Sequence, residues 1–215
     1  NINFGKLLTR FAVMADSHIG VRYEWKNYDW LYGVFAHLEK LHKDAPFDFV
    51  LSLGDNIDDG YAATYQTDYN IYLDEIKKLT ICDPINPIEN RETGKIPHYE
   101  LQGNHDTSMD TRFFNKKLWY SENKDGQKVA FIAFSTKYGG YPAVSFSVAH
   151  EYSSYMSYGI IIEEMLDFVE KSIIEAKQNG VSHIILCNHF GISQALSAPI
   201  LPETGLCKIE EIRKK

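Results

Sequence analysis

Cysteine is scarce in this chain of 215 residues: Cys82, Cys187 and Cys207 are the three present, and no CxxC spacing joins them. An odd number without paired spacing argues against a disulfide framework and against a thiolate zinc site, and favours a reducing compartment. Long apolar runs are also missing. Stretches such as Phe11 to Ala15 and Ile184 to Cys187 fall far short of the roughly 20 residues a membrane helix needs, so nothing here is expected to span a bilayer. Positive charge is in the minority, with 22 Lys and Arg against 29 Asp and Glu and a formal charge of -7. Such a surplus repels polyanions, and non-specific nucleic-acid binding is not expected. The chain shows no repeat, no low-complexity tract and no stretch that reads as a domain linker. No basic, apolar, small-residue leader opens it, but it begins at Asn1 rather than at a methionine. A cytoplasmic setting is therefore favoured, with a secreted one left open.

What is present is ordinary for one soluble domain over residues 1–215, with 44% hydrophobic and 24% charged residues and enough length for a substantial core. Apolar runs rich in Val, Ile and Phe at Phe11 to Ala15, Phe47 to Leu53, Tyr99 to Leu101, Val129 to Phe134 and His183 to Cys187 read as buried strands. Between them, Leu31, Val34, Phe35, Leu38 and Leu41 recur at helical spacing. So do Tyr65, Tyr69, Tyr72, Ile76 and Leu79, and later Ile162, Met165, Leu166, Val169 and Ile173. Strands alternating with helices predict an α/β domain with a mainly parallel sheet. The stretch 82–95, with its prolines, asparagines and glycine, reads as a surface loop, and 137–142 as a turn.

Four polar clusters follow these apolar runs: "ADSH" at 15–18, "LGDNIDDG" at 53–60, "GNHD" at 103–106 and "CNHF" at 187–190. Each falls at the carboxyl end of a predicted strand, the edge at which open α/β sheets bind ligands. Parallel strands set those ends side by side, which can gather Asp16, His18, Asp55, Asn104 and His189 into one pocket. Nitrogen and oxygen donors without thiolate suit Mn, Fe, Co, Ni or Zn.

In this order, DSH as DxH, GDNID as GDxxD, GNHD, and a later strand-end histidine resemble the calcineurin-like metallophosphoesterase family, from residue 16 to residue 189. A lone DxH carries no weight; the ordered set at strand ends does. The resemblance implies a four-layer α/β/β/α sandwich with a two-metal site on its rim. It places Asp16 and His18 on one divalent ion, Asn104 and His189 on the other, and Asp55 as the bridge between them. His105 becomes the non-ligand histidine that meets the phosphate, with Asp106 beside it as an orienting group. The implied reaction is hydrolysis of a small phosphomonoester or phosphodiester by a metal-bridging hydroxide. The implied cofactors are two divalent transition ions, and the alternative is an inactive binding or scaffold protein on the same fold. A neutral amide at Asn104 suits this reading, because it coordinates without cancelling charge and leaves the site positive towards a phosphate.

Two departures qualify the resemblance. Asp58 stands where purple acid phosphatases place a tyrosine, so a tyrosinate-iron centre is not expected; Asp58 reads instead as an outer partner of the ligands. The family's closing GHxH is absent from this sequence. The expectation is therefore a domain incomplete at its C-terminus, whose continuation beyond Lys215 supplies that motif. His37, His42, His98, His150 and His183 match no motif and read as surface or core-edge residues, and Cys187 reads as a small buried apolar group. The aromatics at 23–30 and 138–158 read as loop residues packed over the sandwich. "LPETG" at 201–205 lacks the apolar stretch and basic tail of a cell-wall sorting signal.

Overall fold

Continuous apolar strands need cover on both faces, and this chain supplies it with two sheets packed against each other and helices outside. The structure is a computed structural model that describes residues 6–20, 28–58, 65–77, 82–83, 96–103, 105–106, 113–135 and 163–189. In chain order these form β1 (Phe11–Met14), α1 (Tyr28–Asp44), β2 (Phe49–Ser52), α2 (Tyr65–Lys77) and β3 (Cys82–Asp83). There follow β4 (Ile96–Glu100), β5 (Lys116–Glu122), β6 (Lys128–Phe134), α3 (Glu163–Gln178) and β7 (His183–Cys187). One sheet has the order β1-β2-β4-β3, all parallel; the other has the order β5-β6-β7, antiparallel at β5 and β6 and parallel at β6 and β7. No helix among the described residues is long and apolar enough to cross a membrane.

Strand alternation divides the core into three layers of contact. Phe49 and Leu51 of β2 point at the second sheet, where they meet Trp119, Phe131, Ala133 and Cys187. Aromatic rings interlock there: Phe49 lies 4.9 Å from Phe131 and 5.7 Å from Trp119, both edge-on, and Tyr99 stacks on Trp119 at 4.4 Å. Val50 points the other way and packs with Ala12, Phe35 of α1 and Tyr72 of α2. On the far side, Ile132 and Phe134 face Met165 and Val169 of α3. The layers are therefore α/β/β/α. Each large side chain that is fully buried contributes about 1.5–3 kcal/mol.

Several expectations are corrected. β4 begins at Ile96 rather than Tyr99, and Cys82–Asp83, inside the stretch read as a loop, pairs with its start. β5 was not foreseen, because "KKLWYSE" carries few apolar residues for a strand at the margin of its sheet. The available signal was Asp125-Gly126, a turn dipeptide between two strands. There Asn123 Oδ1 accepts from the amides of Asp125 and Gln127, and Gly126 takes φ 77°. Of the α1 stripe, Phe35 and Leu38 pack inward while Val34 and Leu41 are exposed. His98, read as a surface or core-edge residue, is fully buried. The turn at 137–142, the loop aromatics at 23–27 and 138–158, and the segment 201–215 lie outside the described residues, as does His150.

β4 also carries a buried acid. Glu100 Oε1 and Tyr72 Oη share a hydrogen bond at 2.9 Å, with His98 Nδ1 3.6 Å away. Burial pushes its carboxyl up to about 8; the hydrogen bond from Tyr72 opposes the rise and the nearby Asp106 charge adds to it. The folded state thus holds a proton that the unfolded chain releases near 4.5. That contribution is complete below the unfolded value and is lost as pH rises through the folded one. Urea unfolding at about pH 5 and about pH 8 should show the native protein losing stability relative to Glu100→Gln, which has no proton to release. A stability difference that stays constant between the two pH values would refute the raised pKa.

Candidate metal centre

Parallel register brings the loops after β1, β2 and β4 together. Met14 lies opposite Ser52, and Ser52 opposite Glu100. Beyond the strands the first two loops stay paired: Asp16 N donates to Gly54 O, His18 N to Asp55 O, Ile19 N to Asn56 O and Asp58 N to Ile19 O, all between 2.9 and 3.1 Å. Paired loops in this path demand unusual backbone. Asp16, His18 and Asp55 all adopt left-handed φ, at 58°, 43° and 52°, and Gly54 sits at 111°. Side-chain residues enter that region only where the surroundings enforce it, and such strain gathers at functional sites.

Asp55 is the centre of the arrangement. It is buried, and its Oδ1 accepts from the His105 amide at 2.8 Å. Its Oδ2 faces three imidazoles: His189 Nε2 at 3.2 Å, His18 Nε2 at 3.6 Å and His105 Nε2 at 3.9 Å. Asp16 Oδ1 stands 3.8 Å from His18 Nε2. The opposite nitrogen of each ring faces an acceptor. His189 Nδ1 donates to Leu53 O at 3.1 Å, His105 Nδ1 to Asp58 O, and His18 Nδ1 lies 3.7 Å from Asp58 Oδ1. Holding Nδ1 in this way leaves Nε2 facing Asp55, where a metal ion would take the Nε2 lone pair in place of a proton, which is how metal-binding histidines are oriented. Two ligand groups result, His18-Asp55-His105 and Asp16-Asp55-His189, sharing Asp55. The donor set is carboxylate and imidazole, which fits divalent transition ions.

Electrostatics follow from burial. Desolvation raises the Asp55 pKa, but the hydrogen bond and charge of His189 together with the His105 amide and ring outweigh it and hold the carboxyl below its ordinary value. For His189 desolvation favours the neutral ring, yet the hydrogen bond and charge of Asp55 prevail and raise its pKa. Exposure is graded across the site: the Asp16, His18 and His105 side chains are 59%, 30% and 40% exposed, whereas those of Asp55 and His189 are 5% and 7%. The first three form a mouth and the last two a floor.

Asp106 is placed differently from a group that meets substrate. It has no exposure, and its two oxygens accept from the amides of Asn56, Ile57 and Gly103 and from Asn56 Nδ2. It therefore orients the loop of Asp55 rather than the ring of His105. Burial pushes its carboxyl up to about 6 against those amide bonds. Asn104 lies outside the described residues. Asp58 is buried with one oxygen towards His18 and the other without a hydrogen-bond partner among the described residues. Cys187 packs in the intersheet core, where burial pushes its thiol up to about 12. Sequence reasoning missed Asn56, Glu100 and Tyr72, buried polar residues beneath the site. Glu100, a charged residue ending a buried strand, was the available clue.

The family model described as calcineurin-like phosphoesterase matches residues 9–208. Among solved structures, a dimetal phosphatase from Danio rerio superposes with a TM-score of 0.52 at 12% identity, covering 86% of this chain and 70% of that one. At that identity the likeness speaks for the fold. The Haemophilus influenzae NAD nucleotidase aligns with a TM-score of 0.40 at 16% identity, over 86% of this chain and 34% of that one. No curated protein sequence matches.

Close approach of the two loops rests on glycine. A Cβ at Gly103 would come 2.2 Å from the Asp55 amide nitrogen and from its Oδ1. Gly103→Ala should therefore push the Asp55 loop away and cost about 1–3 kcal/mol, as overpacking does. Thermal unfolding measures it, and an unchanged midpoint would show that the loops are not in contact.

Proposed function

Because the chain belongs to the calcineurin-like phosphoesterase family, we propose that it hydrolyses a small phosphomonoester or phosphodiester, with two divalent ions held by Asp16, His18, Asp55, Asn104 and His189. The observation that carries this reading is the turn of three Nε2 atoms towards the single Asp55 Oδ2, with each Nδ1 engaged behind. Bound divalent cations supply charge stabilisation for a phosphoryl group and bring the pKa of a water down towards neutrality.

The residues themselves do the rest. Asp55 would be shared between the two ions, its Oδ1 tied to the His105 amide and its Oδ2 facing His189 Nε2. His189 closes the floor and excludes water from behind Asp55. Asp16 and His18 stand at the mouth, where a substrate enters. Two carboxylates, Asp16 and Asp55, leave a site with two divalent ions positive, which attracts a phosphate and repels a cation. His105 delivers a proton to the leaving oxygen. With Nδ1–H held by the Asp58 carbonyl, its Nε2 is the ring nitrogen left to face the leaving oxygen. Asp106 is a positioning residue that holds the Asp55 loop.

The second reading is a catalytically inactive binding or scaffold protein on the same fold. Metal analysis, then assay of p-nitrophenyl phosphate and its bis ester with added Mn, separates the two. Metal uptake with turnover supports the phosphoesterase, and uptake without turnover supports the binding protein.

Two substitutions test the roles. Asp55→Asn should abolish metal uptake and turnover together while the circular dichroism spectrum persists; retained full occupancy would remove Asp55 as the bridge. His105→Ala should keep the metal and lower turnover by about 10²–10⁴, the usual contribution of a positioned acid or base. Loss of metal on that change would instead make His105 a ligand beside His18 and Asp55, as their proximity allows.

A further inference from the structure

Beneath the loop of Asp55 lies a buried polar cluster of Ser52, Asn56, Tyr72, Glu100 and Asp106. Asn56 has no exposure, and all four hydrogen-bonding positions of its side-chain amide are used. Its Nδ2 donates to Leu101 O at 3.0 Å and to Asp106 Oδ2 at 3.1 Å; its Oδ1 accepts from Ser52 Oγ and, at 3.3 Å, from Tyr72 Oη. Its backbone oxygen accepts from Ser17 Oγ and the Ile19 amide. One residue thus ties β2, α2 and the loops after β1 and β4 together, directly after the strained Asp55.

We propose that Tyr72 and Glu100 are positioning residues for Asp55, acting through the side chain of Asn56. Tyr72 Oη carries one proton and faces two acceptors, Asn56 Oδ1 and Glu100 Oε1. It can satisfy Asn56 fully only if the Glu100 carboxyl donates to Tyr72 rather than accepting from it. A protonated Glu100 does so, giving a directed chain from Glu100 to Tyr72 to Asn56. The upward push of burial on the Glu100 carboxyl agrees with that direction. The other titratable groups around it are His98 on its own strand, which burial holds neutral with a pKa of about 3, and Asp106 from the next loop.

Chemistry separates this cluster from ordinary packing. Tyr72 stands among Phe35, Phe113 and Val50, where phenylalanine would fill the same volume without a hydroxyl to satisfy. A left-handed Asp55 persists only if its surroundings over-determine it, and Asn56 is the adjoining residue that does so. The functional meaning rests on the metal-centre reading, but the first test does not.

That test is amide hydrogen exchange in metal-free protein. Tyr72→Phe should speed exchange at the Asn56 and Ile57 amides about tenfold, the effect of one lost hydrogen bond, while Trp119 and Phe131 in β5 and β6 keep their protection. Glu100→Gln, which can still donate to Tyr72, should resemble the unaltered protein, and Glu100→Leu should resemble Tyr72→Phe. Unchanged exchange at Asn56 and Ile57, or equal acceleration everywhere, would overturn the inference. If Tyr72→Phe does not fold, the comparison of Glu100→Gln with Glu100→Leu decides it on the same amides. Manganese titration adds a second readout: affinity should fall about tenfold in Tyr72→Phe and Glu100→Leu and hold in Glu100→Gln. Unaltered protein that takes up no manganese would count against the metal reading, while exchange still decides the positioning role.

Discussion

A buried carboxylate oxygen needs positive charge or hydrogen bonds around it; Asp55 Oδ2 has a hydrogen bond from His189 Nε2 at 3.2 Å, with His18 and His105 Nε2 standing 3.6 and 3.9 Å away. Much of the described site can be understood as the means of keeping that oxygen where it is. Its sister oxygen is fixed by the His105 amide, so the carboxylate cannot rotate freely. Each imidazole is fixed in turn from behind by a backbone carbonyl or by Asp58. The result is a pre-organised cluster in which the histidines supply part of the stabilisation that a metal ion would supply more strongly.

That cluster has a conformational cost, carried by the backbone. Three residues with side chains occupy left-handed φ in loops that remain hydrogen-bonded beyond the strand ends. Such residues are disfavoured individually, so the rest of the fold must hold them. It does so by two devices. Gly54 and Gly103 let the second and third loops come within a distance no Cβ would permit. Asp106 then ties those loops together from inside through the amides of Asn56, Ile57 and Gly103. The aromatic intersheet core provides the rigid base, because interlocked rings such as Tyr99 on Trp119 and Phe49 on Phe131 resist displacement of one sheet across the other.

The site also has depth. Its mouth is formed by Asp16, His18 and His105, its floor by Asp55 and His189. Below the floor lie Asn56, Tyr72, Glu100 and His98, a polar layer in a place where most folds would put hydrocarbon. Among the described residues neither ring nitrogen of His98 has a hydrogen-bond partner, a cost that the fold carries in this layer. The burden of these groups falls on the helix-side core of Phe35, Val50 and Ile57.

Sequence alone determined the elements whose signal is local. β1, β2, β6, β7 and the three helices were legible because strand and helix periodicity is written in neighbouring residues. Polar clusters after strands were legible too, since a residue such as Asp16 or His189 marks where the chain leaves the core. β5 was not, because its stability comes from pairing with β6 and from packing Trp119 inward rather than from its own composition. The burial of His98 and Glu100 was hidden for a related reason: two polar residues in a strand read as exposed until helices α1 and α2 are laid over that face. Tertiary structure decided which nitrogen of each histidine turns towards Asp55, that Asp106 serves a loop rather than a ring, and that Asn56 joins four segments. Those are properties of distance and direction between residues far apart in the chain, and no local pattern encodes them, since they exist only once parallel register has set the strand ends side by side.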